Sequence, residues 1–214
     1  MRLRLALLAL TIFCGCQRYE ILKVHYLPGF VPGTRDVFAA KALLIGLPGN
    51  TQTIEAGAIF DDQSRLMKRL WVRNASAAVG EALARGFSDA GLKARLKDAG
   101  ENTKPPEGYD SLLRYRVTKF EVVKKFGQDL TVHGRYFTMK ADVRVEATMF
   151  DGAGKQFFSG EATGSEQEPP KPVGGEVFLP LEEDPAESLS VAMSRAVGAM
   201  VLEVSKRGIL RAAH

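Results

Sequence analysis

The clearest pattern in the chain is a strict two-residue alternation over Phe137–Phe150. Phe137, Met139, Ala141, Val143, Val145, Ala147 and Met149 interleave with Thr138, Lys140, Asp142, Arg144, Glu146 and Thr148. A period of two places one set on each face of a strand, so this pattern predicts a strand with one buried and one wet face. Such alternation suits an antiparallel sheet covered on one side better than a parallel sheet buried on both. Asp151-Gly152-Ala153-Gly154-Lys155 then reads as a hairpin turn, with Gln156–Thr163 returning as its partner strand. Upstream, Ser111–Phe126 alternates through Leu113, Tyr115 and Val117 and resumes at Val122, which predicts a long strand with a bulge near Phe120.

A period of 3.6 appears twice. Over Asn74–Ala90, Val79, Leu83, Phe87 and Ala90 fall on one face, with Asn74 placed to cap, Glu81 and Arg85 spaced to pair, and Gly91 placed to close the helix. The second helix begins at Asp184-Pro185-Ala186-Glu187, which offers an N-cap, a proline at the first helical position and an acid three residues after the cap. Leu189, Met193, Ala196, Met200 and Val204 line one face, and Gly208 ends it. Val37–Leu47 reads as a buried first strand stopped by Pro48-Gly49-Asn50, and Leu92–Leu96 as a short one. Thr51–Ser64 looks polar and irregular, and Arg65–Val72 fits either an extended segment or a helical lead-in. Gly164–Asp184, interrupted by Pro169, Pro170, Pro172, Gly174, Gly175 and Pro180, reads as a long loop. Together these elements predict an α+β fold, a two-layer sandwich with a mainly antiparallel sheet and two helices packed on one face.

The N-terminus has a different pattern. Arg2 and Arg4 precede a nearly unbroken apolar run, Leu5–Phe13, too short for a resident bilayer span, and Gly15-Cys16 follows at once. This is the layout of an export signal, and its ending resembles the lipobox of bacterial lipoproteins. The resemblance implies cleavage before Cys16, a diacylglycerol and acyl lipid on Cys16, and attachment to a bacterial membrane. Cys14 fits less well because Phe13 is too large for the residue at the cut. The expected organisation is therefore residues 1–15 as signal, 16–36 as lipidated N-terminus and tether, a spacer that lifts the domain off the membrane and pairs at most briefly at Ile21–Tyr26, and 37–214 as a single periplasmic domain. The residue after the cysteine is Gln17, not the aspartate that favours inner-membrane retention in enterobacterial lipoproteins, which points to the outer membrane.

Charge and composition change this picture little. Of 29 basic residues two, Arg2 and Arg4, leave with the signal, so the excess over 25 acidic residues falls from four to two and gives no reason to expect nucleic acid. The two cysteines, Cys14 and Cys16, are removed and acylated respectively, leaving no thiol for a disulfide, a metal or catalysis. The three histidines, His25, His133 and His214, lie in the tether, a strand connection and the last position. No GxSxG, HExxH or CxxC occurs. Asp61-Asp62 lacks further spaced ligands, and Asp151–Lys155 lacks the spacing of a phosphate loop, so neither a metal nor another cofactor is expected. Two features suggest contacts. Arg114, Arg116, Lys119, Lys124, Lys125 and Arg135 form a basic segment able to meet lipid head groups or a partner. Val177-Phe178-Leu179 forms either a plug on the core or an exposed docking patch. Trp71 and Phe60 pose the same choice, with core packing favoured.

Most of residues 37–207 also resembles a broad group of envelope lipoproteins that includes auxiliary lipoproteins of ABC-type transport systems and the lipopolysaccharide-assembly lipoprotein. The resemblance rests on the lipobox, the helix Ala78–Leu92 (AVGEALARGFSDAGL) and the D-G-x-G hairpin, while the Gly164–Asp184 loop and the Gly49–Arg69 insertion depart from it. It implies a non-catalytic binding or assembly subunit of an envelope transport or biogenesis system, with an envelope protein as partner. A lipid- or ligand-binding lipoprotein is the alternative, and a cell-envelope hydrolase a more distant one.

Overall fold

In the computed structural model, residues 18–31, 41–48, 52–129, 134–173 and 184–206 are described. They form a single curled sheet of eight strands with two helices. The strands are β1 (Arg18–Leu22), β2 (Ala42–Leu47), β3 (Ile54–Phe60), β4 (Leu66–Val72), β5 (Lys93–Asp98), β6 (Ser111–Asp129), β7 (Gly134–Asp151) and β8 (Gln156–Val173); the helices are α1 (Ala75–Asp89) and α2 (Pro185–Lys206).

The sheet is not mainly antiparallel. The pairings β1–β4, β2–β5, β2–β6 and β3–β6 are parallel, whereas β3–β4, β6–β7 and β7–β8 are antiparallel. The long β6–β7–β8 meander is antiparallel, as its alternation predicts, but the short strands attach to it by crossover connections, and single-strand periodicity does not encode them. The inward set of β7, from Phe137 to Met149, is buried as expected. From Met139 to Met149 it joins one core with Val79, Leu83 and Phe87 of α1 and Leu189, Met193, Val197 and Met200 of α2. Complete burial of one such large side chain contributes about 1.5–3 kcal/mol.

Local chemistry explains where the elements begin and bend. Asp184 accepts the Ala186 N–H at 2.8 Å, so α2 starts at its expected cap, with Pro185 in its first turn. Asn74 acts differently from the expected cap: it sits at φ 52° and makes no side-chain capping bond. At the other end of α1, Gly91 adopts φ 98° and donates to the Ser88 carbonyl. Asp61 and Asp151 are both turn-formers. Each carboxylate accepts two backbone N–H groups, from Gln63 and Arg65 and from Ala153 and Lys155 respectively. These bonds, with the Arg65 backbone N–H first, hold the Asp61 carboxyl below the usual range against a desolvation that opposes them.

Three stretches differ from expectation. The polar-looking Thr51–Ser64 contains β3, while of the two readings open for Arg65–Val72 the extended one holds, as β4. A register shift between Glu55 and Gly57 breaks the alternation that would have marked β3. The expected loop from Gly164 continues as β8 through Val173. Its prolines are tolerated because, among the described residues, β8 pairs only with β7 and so forms a sheet edge, and Pro169-Pro170 fall where the register slips between Phe137 and Met139. The rest of that loop, including Val177, Phe178 and Leu179, lies outside the described residues, as do Cys16, Gly208, His133 and His214.

The third difference concerns the expected tether. Residues 18–31 are part of the fold. β1 pairs with β4, and the chain then runs along a row of small residues on α2. The His25 N–H donates to Ser190 Oγ at 3.1 Å and the Leu27 N–H to Ser194 Oγ at 2.9 Å. Both hydroxyls donate in turn to the carbonyl four residues earlier in the helix. One turn further along, Gly198 lies against the Phe30 carbonyl. Tyr26 spans to α1, donating to Asp89 at 2.9 Å; burial first, then this carboxylate, push its phenol well above the ordinary range.

α2 is long and apolar enough to cross a membrane, yet 72% of its most apolar window is buried inside the protein. The core accounts for its composition.

Candidate functional site

An open recess lies where the sheet parts. β2 pairs with β6 from Ser111 to Arg114 and β3 pairs with the same edge from Val122 to Lys125. Among the described residues, no strand covers that edge between Tyr115 and Glu121, and a bulge between Val117 and Lys119 turns the backbone there. The result is an open cleft of about 590 Å³, bounded by Pro48, Ile54, the first turn of α1, Tyr115 and Phe120. Tyr115 anchors its inner wall: its hydroxyl donates to the Ser76 carbonyl at 2.7 Å, and its ring fills the space left by Gly80. Burial is the main reason its phenol is pushed above the ordinary range, with the Glu81 charge adding to it.

The rim of the cleft is charged and internally compensated. Lys119 bonds Asp142 at 3.0 Å and approaches Glu121 at 3.4 Å, Lys140 reaches Asp142 at 3.2 Å, and Arg116 reaches Glu146 at 2.7 Å. Desolvation pushes the Asp142 carboxyl up, but the hydrogen bonds from Lys119 and Lys140 outweigh it and hold the group below its usual range. The bond to Asp142 is also the main reason the Lys119 ammonium is raised. A carboxyl with a lowered folded-state pKa contributes stability above the usual carboxylate range and loses it as pH falls through the lowered value. Urea midpoints measured from pH 7 to pH 3 should therefore fall on acidification, and Asp142→Asn should flatten part of that fall. An identical acid limb in the variant would refute this role.

Of the six basic residues expected as a contact surface, Arg114, Arg116, Lys124 and Lys125 are not brought together. The bulge in β6 flips the phase of the strand, so Tyr115 faces inward before it, and Phe120, Val122 and Lys124 after it. Arg114 donates to the carbonyls of Gly100 and Asn102 and latches the loop that follows β5. Arg116 pairs across the strands with Glu146. Lys124 is buried, its ammonium 4.6 Å from the Phe137 ring and 5.7 Å from that of Phe126. Lys125 is exposed, 5.9 Å from the Phe60 ring. Trp71 and Phe60 are half-buried. Among the described residues, no three His, Cys, Asp or Glu side chains gather as a metal site would need. The cleft thus offers an open backbone edge above an apolar floor, with its charges already engaged. That arrangement suits shallow recognition of an extended or apolar group.

A second surface was not anticipated from the sequence. Among the described residues, the exposed large hydrophobic side chains are Tyr19 and Ile21 on β1 and Leu66 and Met67 on β4, which are neighbouring strands. The alternation of Tyr19 and Ile21 with Glu20 and Leu22 was the available signal.

No family model matches the chain, and no curated protein matches it. Solved structures show weak likeness. A Helicobacter pylori protein named as a homolog of a neuraminyllactose-binding hemagglutinin shares 9% identity at a TM-score of 0.37, over 88% of this chain and 91% of its own. Protein CT253 of Chlamydia trachomatis shares 11% at 0.39, over 79% and 98%. Lipoprotein GNA1162 of Neisseria meningitidis shares 14% at 0.31, over 59% and 83%. At these TM-scores the functional reading rests on the chain's own residues.

Proposed function

We propose that the protein is a bacterial envelope lipoprotein, held by acyl chains on Cys16 and facing the periplasm, that serves as a non-catalytic binding or assembly subunit of an envelope transport or biogenesis system. The observation that carries this reading is the N-terminal run MRLRLALLALTIFCGC, in which a basic start, a short apolar stretch and Gly15-Cys16 occur in the order an acylated export signal requires. Each buried methylene of an acyl chain contributes about 0.8 kcal/mol, so two or more chains make attachment lasting. Confinement to the membrane then raises the effective concentration of any partner there. Gln17 favours the outer membrane as the destination.

In cells, the wild-type protein should sediment with membranes and carry acyl mass on its N-terminal peptide, whereas Cys16→Ser should lose both. A Cys16→Ser protein that still fractionates with membranes would overturn the anchor. Crosslinking in native membranes should capture an envelope protein reproducibly. Turnover of cell-wall or lipid substrates by the purified protein, abolished by a carboxylate substitution, would overturn the subunit role.

The cleft at the parting of the sheet favours a second reading, a ligand-binding lipoprotein. A small molecule or lipid retained in native mass spectra, and lost when Phe120 is replaced by a charged residue, would establish it.

A further inference from the structure

Because β1 begins at Arg18, only Gln17 stands between it and the cysteine proposed to carry the lipid. Two residue steps reach at most about 7 Å, so an acylated Cys16 would hold the start of β1 at the head-group layer. That layer is itself only about 5–7 Å deep on each side of the bilayer. The start of β1 is also the start of β4, because the two strands run parallel with Arg18 opposite Lys68. Met67 and Leu66 therefore lie beside the point where the chain enters the domain. Tyr19 is 70% exposed and Met67 52%; the register puts Tyr19 and Ile21 on one face, and Met67 stands at the irregularity of β4 where Ile59 pairs with Lys68 and Phe60 with Leu66. Tyrosine at a head-group boundary keeps its ring in the apolar layer and its hydroxyl in water, and beside Leu66 the exposed Arg65, paired with Asp61 at 2.7 Å, keeps that turn polar.

We propose that Tyr19, Leu66 and Met67, at the entry end of the β1–β4 edge, rest in the lipid interface next to the anchor, so that the domain lies against the membrane. The occupant of this exposed apolar edge is the bilayer that the chain itself enters. This placement rests on acylation of Cys16. It also reverses the idea of a spacer: residues 18–31 are committed to β1 and α2, so they have no slack to lift the domain.

The test uses the full chain in its own membranes. Once residues 1–15 are removed and Cys16 is acylated, no other thiol remains, so Met67→Cys and Glu107→Cys each present one site for an environment-sensitive fluorophore. Glu107 is exposed in the loop after β5, the strand at the opposite end of the sheet order from β1. The label at position 67 should be quenched by a nitroxide carried on lipid and shielded from a water-soluble quencher, and the label at 107 should show the reverse. Adding Tyr19→Ser and Leu66→Ser to Met67→Cys should move the first label toward the aqueous pattern. If both labels behave as aqueous while acyl mass is present on Cys16, the docking is wrong and the anchor stands. Absence of acyl mass overturns both. A label at 67 shielded from both quenchers means that a protein, either a partner or a second copy, covers the edge, and this too overturns the proposal.

Discussion

Replacing Gly164 by alanine is expected to lower the stability of the domain by about 3 kcal/mol or more. Gly164 sits on β8 where α2 crosses it, and an added methyl group would fall on the Ala192 carbonyl oxygen and the Ala196 nitrogen, well inside van der Waals contact. Both obstacles are helix backbone, so no rotamer change can relieve them. The helix must move away from the strand, and doing so would open the contacts of Met193 and Ala196 with the inner face of the meander. Nearby, Arg195 bonds the Ser165 carbonyl and pairs with Glu166, ties that the same movement would strain. Urea unfolding of wild type and Gly164→Ala, followed by circular dichroism, checks the figure. A loss under about 1 kcal/mol would mean that helix and strand can separate easily.

Gly57→Ala should cost a similar amount, about 3–4 kcal/mol, and its effect should be localised. Gly57 has φ 144°, outside the range side chains tolerate well, and a Cβ there would overlap the Val122 carbonyl. The strain of the backbone contributes about 1–2 kcal/mol and the steric overlap the rest. The position matters because β3 joins β6 over only Gly57–Phe60 with Val122–Lys125, and this short register is the strand pairing that links β1, β4 and β3 to the meander. Hydrogen exchange should accelerate in β1, β3 and β4 while β7 keeps its protection. Uniform acceleration across all strands would show that the two parts unfold as one unit.

What could be read from the sequence followed from local rules. The unbroken alternation of β7, the helical stripe Val79–Leu83–Phe87 and the Asp184-Pro185 cap each needs only its neighbours in the chain, and each appears where expected. The Gly57 bulge hid β3 by breaking its phase. Pro28, Gly29 and the exposed His25 gave residues 24–31 the composition of a linker, although partners more than 160 residues away hold them in place. The cleft had no sequence signal, because it forms where two strands separate from a third. Lys124 belongs by composition to the same basic segment as Arg114 and Arg116, but one extra residue in β6 turns it inward. Parallel pairing was missed for the same reason as the cleft, since a short strand's own periodicity does not say which neighbour it will find.

The seating of His25 and Leu27 on Ser190 and Ser194 also constrains the order in which the domain can be completed. The backbone N–H groups of His25 and Leu27 find their acceptors more than 160 residues later, so this segment cannot be seated until α2 exists, although β1 already has β4 and Tyr26 has Asp89 to pair with. Closure of the domain along this seam therefore waits for α2, whatever the earlier strands have already formed.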